Sequence, residues 1–388
     1  MRKPRGFDTL ARQFYRLMDH TLNVLHIYSG NLFGGVERML ISLATMNGPE
    51  WRSHFALCFE GKLSSTLQAR GEPVNFLGAV RLRNPLSALR ARRALLRLLR
   101  ATRFDAIVCH SIWTYCIFGP VVARAGWSSI LYLHDIPDPK SPFYRWAWLR
   151  PPELCIANSA TTVEPLVQMR VPVPVRIVHP LVNPPPPVER AAIQRLRARW
   201  GAEPSDLVIL QASRFDSWKG HRNLLEALAA MRSVPGWRCW IAGAPQRPEE
   251  EIYRQELVRL TASLQLTQRV SFIGHQDDME TALAACDIYC QPNETPEPFG
   301  MVFVEAMYAG KPVVGRALGG ALEIVTPECG ILCPPGATPL ATALTRLLED
   351  SELRKRMSEF GPARAAVLSG PDRFRVQFRA ALESTVPC

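Results

Sequence analysis

The sequence of 388 residues lacks several patterns that would assign it to whole classes of protein. No run approaches the roughly 18 apolar residues that a membrane-spanning helix needs, and no basic, apolar and small-residue leader stands at the N-terminus. Neither a Cys-x-x-Cys pair nor an Asp-x-Asp motif occurs. The ten cysteines are scattered, without histidines at zinc-finger spacing, which favours small buried thiols. We therefore expect a protein of the reducing cytoplasm.

The composition is that of a folded chain with an excess of positive charge. Hydrophobic residues make up 47% and charged residues 21%, and the length suits two domains of roughly 150 to 200 residues. Lys and Arg number 46 against 35 Asp and Glu, so the formal charge of +11 attracts phosphates, nucleic acid or acidic lipid headgroups. No nucleic-acid-reading module is recognisable, so we expect no nucleic-acid partner.

Two series of short apolar runs alternate with helical patterns along the chain. The first series opens with the strand "LNVLHIYS", the loop "GNLFGG" and an amphipathic helix from Val36 to about Met46, an order typical of nucleotide-binding folds. The second series follows "LVNPPPPVER", whose four prolines favour a stiff, extended connection. This alternation predicts an α/β protein of two Rossmann-like, doubly wound parallel-sheet domains facing an interdomain cleft.

The predicted organisation has four parts. They are an N-terminal extension at 1–20, a first domain at 21–183, a second domain at 184–370, and a C-terminal helix at 371–388 that returns to the first domain. In such folds ligands bind at the carboxyl ends of the strands.

Two acids, Glu297 and Glu305, flank a Phe-Gly pair in "NETPEPFGMVFVEAMYAGKPVV". The proline after Glu297 favours an extended backbone before a helix that starts near Phe299, with Glu305 about two turns down that helix. The free N–H groups at the helix start suit an anion; they belong to Phe299, Gly300 and Met301. Two carboxylates around such donors match a nucleotide sugar, with hydroxyls at both ends and phosphate between. Ordinary solvated surface acids are the alternative.

Two cations follow the first strand of the second domain, in "ASRFDSWKGH". Arg214 and Lys219 fall in a βα loop, where a forked guanidinium and a compact ammonium together can neutralise a diphosphate leaving group. Each alone would be an ordinary surface charge.

With these residues, the chain resembles a retaining glycosyltransferase of family 4 (glycosyl transferases group 1), with the two-domain GT-B fold. The resemblance runs from "GGVERML" through "YLHD", "SRFDSWKGH", "VSFIGH" and "EPFGMVFVEAMYAGKPVV" to "GGALEIV", and the Glu-x7-Glu stretch is its most specific part. The chain departs from the family at "HPLVNPPPP", where an Asn-Gly turn is usual, and at "GAPQRPEEEIY", which lacks a second glycine.

The resemblance implies roles for the second-domain residues. Glu297 would contact the donor sugar at the reacting centre, Glu305 would hold the nucleotide ribose, and Arg214 with Lys219 would bind the diphosphate. The backbone N–H groups of Phe299, Gly300 and Met301 would bind sugar and phosphate, and Gly274 and His275 would lie beside the nucleobase.

The resemblance also covers candidates in the first domain. His134, at the end of the predicted strand "SILYLHD", matches the family's histidine that reaches the donor sugar and joins Glu297 as a catalytic candidate; an ordinary histidine at a strand end is the alternative. Gly34 and Gly35 match a glycine pair close to the diphosphate, or are turn glycines by chance. Asp135 is either an acceptor contact or a helix cap, and His110 either faces the cleft or belongs to the core.

The implied reaction transfers a sugar with retention of configuration at the anomeric carbon and without a metal or other cofactor. The donor would be a nucleotide-diphosphate sugar, UDP- or GDP-linked, and the acceptor a glycan or lipid-linked molecule in cell-surface polysaccharide, lipopolysaccharide or glycoconjugate biosynthesis. A GT-B protein that binds a nucleotide sugar without transferring it, and a GT-B phosphorylase, are the alternatives.

A basic segment, residues 81–103, contains many arginines and no acid. Its apolar face is formed by leucines at 86, 89, 95, 96, 98 and 99, so it reads as a basic amphipathic helix. The stretch "FYRWAWLR" adds aromatics mixed with arginines. Two interpretations of this segment are open. Its apolar face packs on the first sheet, or the segment docks peripherally on the anionic inner face of the cell membrane.

Overall fold

The computed structural model describes residues 21–31, 33–81 and 83–385, which divide into two α/β units. The first unit runs to Leu181 and resumes at Pro371, whereas the second comprises Val182–Gly370. This division falls close to the one predicted after residue 183, and the predicted extension at 1–20 lies outside the described residues. Among the helices described, none combines the length and the apolar character needed to cross a bilayer.

The first unit is built on a seven-stranded sheet with parallel neighbours, in the order β3-β2-β1-β4-β5-β6-β7. Its strands are β1 (Leu22–Tyr28), β2 (Trp51–Leu57), β3 (Val74–Phe76), β4 (Ala106–His110), β5 (Ser129–Leu133), β6 (Leu154–Ala157) and β7 (Val175–Ile177). Every residue of β4, β5 and β6 is buried, as expected of parallel strands covered on both faces. The strands predicted from apolar runs are therefore confirmed.

Seven helices of the described chain belong to this unit. They are α1 (Gly35–Ala44), α2 (Lys62–Ala69), α3 (Pro85–Ala101), α4 (Ile112–Arg124), α5 (Pro142–Ala147), α6 (Ala160–Gln168) and, from the C-terminal end, α15 (Pro371–Glu383). Leu95 of α3 and Phe118 of α4 pack in one core with Leu25 and Ile27 of β1.

The C-terminal helix α15 packs on the other face of the same sheet. The ring of Phe378 lies 5.6 Å from that of Trp51 and 6.1 Å from that of His26, centre to centre. Because side chains alternate along a strand, His26 points away from the core that holds its neighbours in β1. Arg375 forms an ion pair of 3.2 Å with Glu50. The last helix of the chain is thus part of the first unit's core.

The second unit has a six-stranded parallel sheet in the order β10-β9-β8-β11-β12-β13. Its strands are β8 (Leu207–Ala212), β9 (Trp237–Ala242), β10 (Val270–Gly274), β11 (Ile288–Gln291), β12 (Val313–Arg316) and β13 (Gly330–Cys333). All six occur in the second predicted series of apolar runs, so the expected α/β class with two doubly wound sheets is confirmed. The runs are "LVILQAS", "WRCWIAG", "RVSFIG", "DIYCQP", "KPVVGRA" and "GILCPP".

Eight helices cover this second sheet, and a short 3-10 turn, Ser217–Lys219, follows β8. The helices are α7 (Arg190–Arg199), α8 (His221–Ala230), α9 (Pro248–Ser263), α10 (Met279–Ala285), α11 (Met301–Tyr308), α12 (Ala321–Ile324), α13 (Ala337–Glu349) and α14 (Ser351–Ser369). One core lies under α8 and α13, with Leu224 and Leu344; a second lies under α11, with Phe303 and Val304.

The basic segment forms helix α3, which is only partly buried. Leu95 and Leu99 are buried in the first unit's core, whereas Leu86 and Leu89, nearer the start of α3, are 59% and 42% exposed. Packing on the sheet therefore accounts for the later leucines, and the first turns keep an apolar surface beside exposed arginines.

Candidate functional site

The predicted donor residues of the second unit gather where β8 and β11 end. These two strands are neighbours in the sheet, so the loops at their carboxyl ends meet. Lys219 closes the 3-10 turn after β8, and Glu297 lies in the loop after β11. The structure joins them directly: Lys219 Nζ donates to Glu297 Oε1 at 2.7 Å.

Three side chains donate to the Glu297 carboxylate. Besides Lys219, Gln291 Nε2 lies 2.9 Å and Asn293 Nδ2 lies 2.5 Å from Glu297 Oε2. Only 16% of the Glu297 side chain is exposed, and charge-assisted hydrogen bonds of this kind hold a partly buried carboxylate in one orientation. Glu297 is therefore a fixed hydrogen-bond acceptor rather than a solvated surface acid.

The Lys219 side chain is also held in a fixed position. Its side chain is 11% exposed, and Nζ lies 4.0 Å above the centre of the Trp218 ring, within cation–π range. In the described part of the chain, the ammonium group uses one of its three N–H donors, on Glu297. The remaining donors are available for oxygen atoms of a ligand.

The charge of Glu305 acts on Tyr289, a neighbour of the Glu297 group. Burial, followed by the nearby charges of Glu297 and Glu305, raises the pKa of Tyr289 well above its ordinary value. The Tyr289 hydroxyl donates to Gln291 Oε1 at 2.6 Å. Both acids of the Glu-x7-Glu stretch thus lie near one buried phenol.

Arg214 is placed differently from Lys219. Its guanidinium forms ion pairs with Asp216 at 2.7 Å and with Glu250 at 3.4 Å, and its side chain is 34% exposed. Glu250, almost fully buried, also accepts from Gln246 N at 2.7 Å. The structure therefore joins Lys219 to Glu297, and the charge of Glu305 acts on nearby Tyr289, whereas Arg214 has acidic partners of its own.

Two helices begin at this end of the sheet on left-handed glycines without a side-chain cap. Gly220 (φ +76°) precedes α8, and Gly300 (φ +111°) precedes α11. A Cβ on Gly220 would lie 1.9 Å from Pro292 O, so both conformation and space require glycine there. Uncapped helix N-termini leave N–H groups for an anion.

The start of α11 differs from the prediction. The helix begins at Met301 and not near Phe299, since Gly300 adopts a left-handed conformation that ends the extended loop. Phe299 is 2% exposed, and its backbone precedes the helix. Glu305 consequently lies about one turn from the helix start, where about two turns were expected.

The glycine pair of "GGALEIV" supports the backbone of Glu297. Gly319 has φ +61°, and a Cβ there would lie 2.6 Å from Glu297 N. Gly320 N donates to Glu297 O at 2.8 Å. Close backbone packing from the loop after β12 therefore fixes the loop that carries the acid.

The glycine candidates of the first unit occupy the turn into α1. Gly34 precedes the helix and donates its N–H to Glu37 Oε2 at 2.8 Å, and Gly35 is the first, exposed residue of α1. A Cβ on Gly34 would meet only Glu37 Oε2, at the ordinary distance of 3.6 Å. Neither backbone conformation nor packing requires glycine at position 34.

The histidine candidates of the first unit contact each other. His110 Nδ1 and His134 Nε2 are 3.0 Å apart, and His110 Nε2 lies 2.9 Å from Nδ1 of His26. His110 is fully buried at the end of β4, so the core alternative describes its position, whereas His134 keeps 8% of its surface. Asp135 is exposed.

Gly274 is the last residue of β10, the edge strand of the second sheet, and His275 follows it. Gly274 has φ +69° with open space where a Cβ would stand, and its carbonyl accepts from Gly243 N at 2.9 Å. His275 is exposed and lies 3.3 Å from Asp277. No group of three or more His, Cys, Asp or Glu within the described ranges is arranged to hold a metal ion.

Sequence reasoning missed several residues that build this group. Gln291 and Asn293 orient Glu297, Trp218 supports Lys219, and Glu250 holds Arg214. The sequence did contain a signal, because the buried strand in "IYCQPN" ends in polar residues. Polar residues at the carboxyl end of a buried parallel strand indicate a ligand-binding site.

Comparison with known families covers most of the chain. Residues 192–364 match the family described as "Glycosyl transferases group 1", and residues 33–186 match "Glycosyltransferase Family 4". A trehalose synthase of Pyrococcus horikoshii is 31% identical over 186 residues, 46% of this chain and 44% of that protein. A lipopolysaccharide core biosynthesis glycosyltransferase of Rhizobium meliloti is 33% identical over 156 residues, 40% of this chain and 43% of its own. The aligned segments thus span less than half of these relatives.

A solved structure resembles the chain over almost its whole length. Anabaena Alr3699/HepE in complex with UDP has a TM-score of 0.82 and 25% identity, covering 94% of this chain and all of that one. The same protein in complex with UDP-glucose has a TM-score of 0.81.

The chain has two Rossmann-like parallel-sheet units and resembles Anabaena Alr3699/HepE over almost its whole length. Its fold is therefore that of the GT-B class of glycosyltransferases. The chain belongs to glycosyltransferase family 4, with its second unit in glycosyl transferases group 1.

Proposed function

We propose that this protein transfers a sugar from a nucleotide-diphosphate sugar, UDP-linked in the first instance, to a glycan or lipid-linked acceptor. The observation that carries the proposal is the Lys219–Glu297 pair, fixed by Gln291 and Asn293 where β8 and β11 end. The complexes of Anabaena Alr3699/HepE with UDP and UDP-glucose support the choice of donor. The lipopolysaccharide relative supports a role in cell-surface glycan synthesis.

The second unit supplies positive charge for the departing diphosphate. Lys219 has unused N–H donors beside the uncapped N-termini of α8 and α11, and such preorganised donors stabilise charge that develops as a phosphate leaves. Arg214 adds a second cation once a phosphate replaces one of its acidic partners. Glu305 takes the nucleotide ribose, and Glu297 takes hydroxyls of the donor sugar.

The proposed step retains configuration and uses no metal. The bond between the anomeric carbon and the phosphate oxygen breaks while the acceptor oxygen bonds to that carbon from the same face. The acceptor proton passes to a phosphate oxygen of the departing nucleoside diphosphate. The protein contributes positioning and electrostatics, so no side chain needs to act as a covalent nucleophile.

The donor assignment is tested by thermal unfolding with UDP, UDP-glucose, GDP-mannose and ADP-glucose. A ligand at 100 times its Kd adds about 2.7 kcal/mol to the stability of the folded state, so a true donor raises Tm by several degrees. Glu305→Ala should abolish most of that rise because it removes the ribose acceptor.

Glu359→Ala provides the matched control, since Glu359 is an exposed glutamate on helix α14. It should respond to nucleotide as the wild type does. A wild type that no nucleotide stabilises, or a Glu305→Ala protein with an undiminished response, contradicts the donor assignment.

We also propose that a surface of the first unit rests on anionic lipid at the inner face of the membrane, where a lipid-linked acceptor resides. This α3–α5 surface presents exposed Leu86, Leu89, Trp146 and Leu149 with exposed arginines at 90, 93, 97, 100, 145 and 150. Helix α4 packs against both α3 and α5. Apolar side chains among arginines complement an anionic interface.

Sedimentation with vesicles tests the α3–α5 surface. The wild type should pellet with phosphatidylglycerol vesicles at low salt and remain in the supernatant with phosphatidylcholine alone. The pair Leu86→Ser and Trp146→Ser should weaken binding by at least about tenfold, because each buried apolar side chain contributes roughly 1.5–3 kcal/mol. Phe360→Ser, an exposed apolar residue of α14, should pellet normally. Recovery of wild type in the supernatant at low salt rejects docking.

A further inference from the structure

Three histidines form a continuous hydrogen-bonded ladder across the first sheet. They are His26 in β1, His110 at the end of β4 and His134 just after β5, with nitrogen separations of 2.9 Å and 3.0 Å. His26 pairs in register with Val108, and His110 with Tyr132, so each step climbs toward the carboxyl end of the sheet. The ladder therefore runs from the core to the strand ends, where ligands bind in such folds.

The ring planes are oriented for in-plane hydrogen bonds. His110 and His134 have ring centres 5.3 Å apart and planes only 12° from parallel. The neighbouring hydroxyl does not compete for their nitrogens, because Tyr132 donates to Val178 O at 2.7 Å. Asn158 Nδ2 fixes the other end by donating to His134 O at 3.2 Å.

Only two arrangements of hydrogen atoms preserve both bonds when all three rings are neutral. His110 carries one N–H, so it must donate at one nitrogen and accept at the other. In the first arrangement every ring is protonated at Nδ1, and His134 presents an N–H at its outer nitrogen. In the second every ring is protonated at Nε2, and His134 presents a lone pair.

The inner end of the ladder decides between these arrangements. His26 Nε2 is buried and has no hydrogen-bond partner within the described residues. Its ring lies nearly parallel to those of Phe55 and Phe378, at 25° and 20°, so an in-plane N–H would not point at either aromatic face. An orphaned buried N–H is rarer and costlier than a bare acceptor, which favours protonation at Nδ1.

We propose that His26 and His110 are positioning residues that hold His134 as its Nδ1–H tautomer, so that His134 offers a neutral hydrogen-bond donor to an oxygen of the substrate. The assignment of that oxygen to the donor sugar rests on the proposed function. The assignment of the His134 tautomer does not rest on it.

Burial keeps the ladder neutral at physiological pH. It lowers the pKa of His26 and of His134 to about 3, and burial together with the two flanking rings lowers that of His110 well below its ordinary value. His134 would then neither carry positive charge nor take a proton during transfer. Its contribution is one oriented N–H.

Nitrogen-15 NMR of protein labelled at the histidine rings measures the tautomers directly. Three rings, assigned from single-variant spectra, should be protonated at Nδ1 and show no titration between pH 5 and pH 8. In His110→Leu, His134 loses its inner partner and should shift toward the Nε2–H form, with a roughly fivefold to tenfold rise in the donor KM.

His54→Gln is the matched control, because His54 is half-buried in β2 and bonds Asn23 instead of the ladder. It should leave the His134 tautomer unchanged. Three Nε2–H rings, or titration of His134 near neutral pH in the wild type, overturn the proposal even if His110→Leu fails to fold. Nucleotide stabilisation measured in the same samples shows separately whether the donor assignment holds.

Discussion

Lys219→Met is expected to lower kcat for sugar transfer by about 100-fold to 1,000-fold, the cost of removing one preorganised donor from a developing anion. Methionine keeps the length and apolar stem of the side chain, so packing on Trp218 is largely retained. What is lost is the ammonium group beside the N-terminus of α8. Steady-state kinetics of UDP release from the donor identified by thermal unfolding measure the effect.

The matched control is Lys355→Met, which removes an exposed lysine from helix α14. It removes one positive charge, as Lys219→Met does, and should retain wild-type kcat. If Lys219→Met keeps more than about a tenth of the wild-type kcat, the electrostatic role assigned to Lys219 is wrong, because a loss below tenfold is less than about 1.4 kcal/mol.

Glu297→Gln is expected to reduce both stability and activity. The carboxylate accepts hydrogen bonds from Lys219 at one oxygen and from Gln291 and Asn293 at the other. The glutamine amide has only one oxygen, so its NH2 group must face the donors on one of these two sides. The free energy of unfolding should fall by about 1–3 kcal/mol, the cost of an unsatisfied buried donor. Because Lys219 also loses its anchor, kcat/KM should fall by roughly 100-fold. Urea denaturation and donor kinetics measure the two effects.

Glu294→Gln is the control, since Glu294 is exposed in the same loop. The double variant Lys219→Met with Glu297→Gln adds a second check. Partners in one network are non-additive, so its loss of stability should be smaller than the two single losses combined. Simple additivity would mean that the Lys219–Glu297 contact contributes nothing to the fold.

Hydrophobic periodicity was enough to predict the sheets. Runs such as "AIVCH" and "SILYL" are apolar at every or nearly every position because both faces of a parallel strand are covered, and the helices of the described chain alternate buried with exposed positions instead. Short helices with mixed surfaces, such as α5 and α7, were not predicted. Helix α7 has no fully buried residue, so its sequence lacks an apolar stripe.

A polar strand end could mark Gln291 and Asn293 as site residues, but which side chain each predicted site residue would bond was not predictable. Glu297 and Arg214 follow from the family resemblance, but Gln291 and Glu250 reach them through loops and register that the sequence does not encode locally. The start of α11 was misplaced because Pro298, three residues before the observed start at Met301, is also a good helix-start signal. The left-handed conformation of Gly300 decided the boundary instead.

Membership of α15 in the first unit has a consequence for biosynthesis. Phe374 and Phe378 are fully buried against the sheet whose first strand emerges from the ribosome hundreds of residues earlier, so part of that sheet stays uncovered until α15 has been synthesised. The middle segment, Val182–Gly370, is contiguous and can complete its core while still tethered. Synthesis of α15, rather than passage of the proline-rich connection, is the event that lets the first unit complete its core.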